Sequence, residues 1–205
     1  MKNLLLKTLP ALALIAGAQA QAADWTLLGD VVAAGGSFTL TTAFNADDDA
    51  PFNLSGNPAA WIDTVELAAG LPFHALDLAD EPAYEGSLAS RSFTVRAGDT
   101  LSFDWRFSTL ETLFQDQAFA VLGGQLVTLA TRGSATPGVH SFSRTFDTGG
   151  TVTLAFGVVD TGDFNGVSTL TVSGVTLAPV PEPASWALLL AGAAGLAALR
   201  RKAQR

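Results

Sequence analysis

Between residues 23 and 178 the chain alternates apolar and polar positions with a period of two. Leu101-Ser102-Phe103-Asp104-Trp105-Arg106-Phe107 holds this alternation, and Val152, Leu154, Phe156 and Val158 alternate with Thr151, Thr153, Ala155 and Gly157. Successive side chains of an extended chain point to opposite faces, so each run predicts a strand with one buried face. Comparable runs predict strands over 37–42, 61–67, 90–95, 118–122, 126–131, 140–146 and 168–177. In the last of these the apolar phase passes from Leu170 and Val172 to Val175 and Leu177 across Gly174, the mark of a bulge. Arg96-Ala97-Gly98-Asp99, Gly123-Gly124, Pro137-Gly138 and Gly149-Gly150 supply turns between them. Many short strands with Gly-rich turns predict an all-β fold, an antiparallel two-sheet sandwich of jelly-roll type, with one helical turn at most, over 110–115. Two long stretches, 43–60 and 68–86, carry no strand pattern, and loops of that length in a compact domain are usually functional or mobile.

Two segments break the period. Met1 to Ala22 has Lys2 and Lys7, an apolar run over 9–17 and the small-residue set Ala18-Gln19-Ala20, with a second set at Ala20-Gln21-Ala22. This is the layout of an export signal, with cleavage before Gln21 or before Ala23. At the other end Val180-Pro181-Glu182-Pro183 precedes an uncharged run from Ala184 to Leu199, followed by Arg200, Arg201, Lys202 and Arg205. As a helix that run rises about 24 Å, close to a hydrocarbon core of about 30 Å once the flanking arginines snorkel. Its basic end predicts a cytoplasmic C-terminus, with the domain over 23–178 on the far side of the membrane. Trp186, near the start of the run, fits an interfacial position.

The order Pro-Glu-Pro, apolar span, arginine-rich end over 179–205 resembles the PEP-CTERM sorting signal of Gram-negative bacteria. The resemblance implies an exosortase as partner, insertion in the inner membrane before processing, and release to the cell surface or the extracellular matrix afterwards. It makes Pro181, Glu182 and Pro183, together with Arg200 and Arg201, elements of a substrate. The two prolines hold that stretch extended and remove backbone donors, leaving it open to a protease cleft. From Glu85 onward the order of Gly-Ser, a strand ending in Arg-Ala-Gly-Asp, the Phe-Asp-Trp strand, Asp-Gln-Ala-Phe-Ala and Phe-Gly-Val-Val-Asp resembles jelly-roll ectodomains found on such anchors. These in turn are similar to carbohydrate-binding modules. The context implied is exopolysaccharide or biofilm.

Charge sharpens this picture. Of eleven Lys and Arg, six lie in the two terminal segments, which leaves five arginines against eighteen acids, a net of about −13 for 23–178. A surface of that sign does not bind nucleic acid through phosphates; it attracts divalent cations and keeps an exported protein soluble. The absence of cysteine excludes disulfides, thiolate metal sites and a thiol nucleophile.

Candidate chemistry is sparse. With only His74 and His140 a three-histidine metal site is impossible, and no G-x-S-x-G, H-E-x-x-H, P-loop or G-x-G-x-x-G occurs. Carboxylate pairs such as Glu111 with Asp116, or Asp160 with Asp163, could serve a polysaccharide hydrolase, the alternative to a non-enzymatic surface protein, but nothing in the sequence raises them above the other acids. No catalytic residue is assigned. Asp160, Asp163 and Asn165, set among glycines, offer oxygen ligands suited to calcium; their other reading is turn residues that bond their own backbone. Asp47-Asp48-Asp49 reads as a weaker cation candidate or a solvated charge run. Among the rings, Trp61 and Tyr84 at the loop edges are candidates for stacking on a sugar, whereas Trp105 lies in phase with core positions.

Overall fold

The computed structural model describes residues 25–44, 49–79, 81–180, 190–194 and 200. The segment 1–22, the tripeptide Pro181-Glu182-Pro183, Trp186 and Arg201 lie outside them. Among residues 25–180 the elements run in the order β1 (Thr26–Leu28), β2 (Asp30–Ala34), β3 (Ser37–Thr41), β4 (Ala60–Trp61), α1 (Ile62–Ala69), β5 (Ala83–Val95), β6 (Thr100–Thr109), β7 (Gln117–Leu122), β8 (Gln125–Thr131), β9 (His140–Thr145), β10 (Gly150–Thr161) and β11 (Ser168–Ala178). They make two antiparallel sheets. The first has the order β1-β5-β10-β7-β8, with β4 on the same edge of β5 as β1; the second has the order β2-β3-β11-β6-β9.

The alternation decides which residues fill the space between the sheets. Leu154, Phe156 and Val158 of β10, Ala118 and Ala120 of β7, and Ala89 of β5 meet Phe38, Leu40, Leu101, Phe103, Phe107, Leu170 and Val172 of the second sheet. The opposite face of the first sheet is buried too. Ala155, Val159, Leu88, Phe119 and Val121 pack against Val65 and Ala69 of α1 and against Leu76. That explains why β10 reads as nearly continuous apolar sequence beyond Leu154.

The structure corrects two of the expected elements. Residues 61–67 form β4 and the first turns of α1 rather than a strand, because Val65, Glu66 and Ala69 fall on one helical face and Gly70 closes the helix with φ 72°. The stretch 110–115 is not a helical turn but a bent connection. Two strands, β1 and β2, are additional; each is short and lies next to glycine. The bulge at Gly174 is present, as a register shift between Ser173 and Thr176 with Gly174 at φ 63°. Among the described residues no helix is long and apolar enough to cross a membrane; within 184–199 only 190–194 are described, as exposed helix.

Candidate functional site

Buried acids organise the loops at one end of the sandwich. Asp30, fully buried, accepts hydrogen bonds from Leu54 N and Ser55 N (2.7 Å for the latter) and from the Thr41 hydroxyl, which ties the first long loop to β2. Glu66 does the same for the second, accepting from His74 N at 2.9 Å and Leu76 N at 3.0 Å. Glu111 accepts from Leu113 N and Phe114 N and so folds its own connection. Each of these carboxylates exchanges water for peptide donors, which makes its burial tolerable.

A different arrangement ends the core. Asp160 continues the inward phase of Leu154, Phe156 and Val158, and Glu85 lies directly opposite it on β5. On the other side Asp116, one residue before β7, accepts from Thr161 N at 3.2 Å and, across the sandwich, from the Ser168 hydroxyl at 2.7 Å. Three acids thus stand in a row on neighbouring strands, each at most 2% exposed. Like charges directly opposite one another destabilise a sheet. Among the described residues no Lys, Arg or His forms an ion pair with Glu85, Glu111, Asp116 or Asp160. Asp160 Oδ1 and the neighbouring Thr161 Oγ1 are buried without any hydrogen-bond partner.

The electrostatic consequence follows. Burial pushes the Asp160 carboxyl up to about 10, and the carboxylates of Asp116, Asp163, Glu85 and Glu111 add to the effect. Burial raises Glu85 to about 7, with a further push from Asp49. Asp116 also rises to about 7: its desolvation outweighs the downward pull of the Ser168 and Thr161 hydrogen bonds, and Glu111 and Asp163 raise it further.

Rings gather at the same end. Trp61, opposite Glu85 in register, has its ring 6.1 Å from Phe164 at 86° and 6.3 Å from Phe44; Phe164 lies 4.7 Å from Tyr84 at 34°. Trp61 is 60% exposed and Phe164 47%, so this cluster presents ring surface to solvent rather than to the core. Phe164 sits in the connection 162–167 that begins directly after the acid row. Gly162 and Gly166 hold that connection close: a Cβ at Gly162 would lie 2.2 Å from the Phe114 ring, and one at Gly166 would lie 2.7 Å from Glu111 Cα.

The residues named from sequence are therefore regrouped. Trp61 and Tyr84 are brought together through Phe164, which pattern reading passed over. Asp160 belongs to strand β10, not to a turn, and joins Asp116 and Glu85. Asp163 is taken up by Asn165, whose N and Nδ2 donate to its two oxygens at 2.9 and 3.3 Å, a local turn. Asp47 and Asp48 fall outside the described residues. Trp105 is half-buried and stacks on His140 at 4.6 Å, far along the chain from His74, which is paired with Asp77. One signal for the acid row was present in the sequence, an acid in phase with core positions at Asp160; Glu85 lay in the stretch 68–86, where no strand pattern shows, and only β5 places it.

The chain leaves from the opposite end. Strand β11 starts at Ser168 beside Asp116 and ends at Ala178 opposite Thr100, and Val180 N then donates to Asp99 at 3.3 Å. Pro-Glu-Pro follows at once. The chain carries a PEP-CTERM protein-sorting motif at residues 179–202. Such a motif marks exported proteins for exosortase processing, with membrane anchoring beforehand. No curated protein matches the chain. A solved structure titled "CBM4 structure and function" aligns over 76% of this chain and 86% of that one, with 13% identity and a TM-score of 0.36.

Proposed function

We propose that this is an exported, exosortase-processed surface or matrix protein of a Gram-negative bacterium, whose jelly-roll sandwich holds extracellular polysaccharide without cleaving it. The observation that carries the binding half is the ring cluster in which the exposed Trp61 and Phe164 are backed by the half-buried Phe44 and Tyr84. Flat aromatic faces beside carboxylate and amide groups suit a sugar, which offers apolar C–H faces and hydroxyls together. Position supports the reading as well. The ring cluster and the sorting motif lie at opposite ends of β11, about 33 Å apart at roughly 3.3 Å per strand residue, so a tethered protein holds its rings away from the membrane. Burial supports the non-catalytic half, since Asp160, Asp116 and Glu85, the carboxyls with raised pKa values, are closed to a polymer.

Two outcomes are expected. Trp61→Ala lowers the affinity for a bound polysaccharide about tenfold, the effect of losing about 1.4 kcal/mol at a central ring, without lowering the melting temperature; pull-down on insoluble polysaccharides together with a glycan array reads it. Equal retention of the parent and of a Trp61→Ala, Phe164→Ala double variant on every glycan would reject the ring surface. Replacing Pro181, Glu182 and Pro183 by alanine leaves export intact and traps full-length protein in the inner membrane. An unchanged mature C-terminus by mass spectrometry would contradict exosortase processing.

A further inference from the structure

The ring surface of Trp61 and Phe164 is accompanied by charge of one sign. Asp163, half-exposed, directly precedes Phe164 and is held in the same connection by Asn165 N and Nδ2. Asp49 accepts from Phe44 N at 3.3 Å, and Asp63, exposed in the first turn of α1, follows Trp61 by two residues. The five arginines of 23–178 are placed differently. Arg91 and Arg96 belong to the later half of β5 and the turn after it, and Arg144 stands on β9 opposite Leu101, all toward the end from which the sorting motif leaves. Arg106 points outward from the second sheet. Arg132 donates to the carbonyl oxygens of Leu113 and Phe114, and His74 is paired with Asp77.

We propose that the ring surface takes an amine-bearing polysaccharide, a polymer of aminohexose units, in preference to a neutral or a uronic acid polymer. The inference rests on the polysaccharide reading of the ring cluster and adds the class of sugar. An aromatic face carries the negative part of its quadrupole and attracts an ammonium group, most strongly at tryptophan. A neutral sugar gains the stacking alone. The two open rings stand at 86° to one another, a corner that can take the C–H face of a sugar on one ring and its ammonium on the other. Asp49, Asp63 and Asp163 add a charge that complements an ammonium and opposes a carboxylate or sulfate. Such complementarity sets specificity by rejecting the wrong partner as much as by holding the right one.

The test titrates the full chain, in a nonionic detergent at about pH 6, with three oligosaccharides of equal length: oligomers of glucosamine, of N-acetylglucosamine and of mannuronic acid. The glucosamine oligomer is expected to bind about tenfold more tightly than its N-acetylated counterpart, and the mannuronic acid oligomer not at all. Sodium chloride raised from about 0.05 M to about 0.5 M shrinks the preference, since exposed charges are screened. Trp61→Ala abolishes it, and so does Phe164→Ala, each with an unchanged melting temperature. The double variant Asp63→Asn, Asp163→Asn keeps the shapes and cuts it about threefold. Asp147→Asn, an exposed acid at the opposite end, leaves it in place. A preference that survives both ring variants would be diffuse attraction to an acidic domain and would overturn the proposal. Equal binding of the glucosamine and N-acetylglucosamine oligomers, lost in Trp61→Ala, would overturn it while leaving the ring surface as a sugar site. Binding of the mannuronic acid oligomer, or of none of the three, would overturn it as well; in the last case the glycan array decides the broader reading separately.

Discussion

Phe156→Ala is expected to destabilise the protein by about 3–5 kcal/mol and to lower its melting temperature by roughly 10 °C or more. Phe156 is fully buried and is the ring on which both sheets meet: its centroid lies 5.1 Å from Trp25, 5.2 Å from Phe38 and 6.2 Å from Phe103. Truncation leaves a cavity walled by rings that cannot collapse into it, because Phe38 and Phe103 are held in β3 and β6 and Trp25 directly precedes β1. Phe103→Ala acts in the same way, since Phe103 is buried and stacked on Phe142 at 4.8 Å. Trp105→Ala costs less than the pure alternation implies, because that ring is half-exposed and stacks on His140. Ser102→Ala loses one exposed hydroxyl contact with Thr176 and changes stability by about 0.5 kcal/mol or less. Thermal melts of the four variants check the order; equal losses at Ser102 and Phe156 would contradict the two-sheet packing.

The protein is expected to lose stability as the pH rises from about 4 through 7 and beyond. The sign follows from the direction of the shifts. Glu85, Asp116 and Asp160 all titrate higher in the folded chain than the ordinary carboxylate values of 4.5 and 3.8, so the folded state holds more protons than the unfolded one through that window. Stability is full below the unfolded values and falls through about 7 for Glu85 and Asp116, then on toward about 10 for Asp160. The groups facing this row from every side, Asp49, Glu111 and Asp163, are acids as well, so none reverses the slope. Denaturant titrations at pH 4.5, 6 and 8 in EDTA measure it, and Asp160→Asn flattens the upper limb. A stability that climbs steadily between pH 4.5 and 8 would mean that these carboxyls are ionised at no cost in the native chain.

How much of this was legible in advance differs from element to element. β6, β11 and the first half of β10 announced themselves, since each buries one clear face and a two-residue period survives, whereas β5 was legible only over 90–95 because its earlier residues are buried on both faces. The segment 61–67 did not: Trp61, Asp63, Val65 and Leu67 satisfy a strand period while Ile62, Val65, Glu66 and Ala69 satisfy a helical one. Only packing against Leu88 and Phe119 chose the second. The sorting motif was fully readable, because its parts are contiguous in the chain. Site residues were readable in type but not in company. Trp61 and Tyr84 stood out as rings at loop edges, yet nothing local shows that a phenylalanine from 162–167 reaches both.

By itself, then, the sequence determined the strand periodicity, the excess of acid, the absence of cysteine and the terminal Pro-Glu-Pro signal, all properties carried by neighbours in the chain or by simple counts. Only the tertiary structure decided that Glu85, Asp116 and Asp160 form one row, since they are brought side by side by β5–β10 and β10–β7 pairing between segments far apart in sequence. It alone decided that Asp160 points inward with an oxygen unmet, because the register that continues β10 to Thr161 carries the inward phase one acid further than the apolar run. It also set the rings and the sorting motif at opposite ends of β11, for an antiparallel strand of that length must part its two termini.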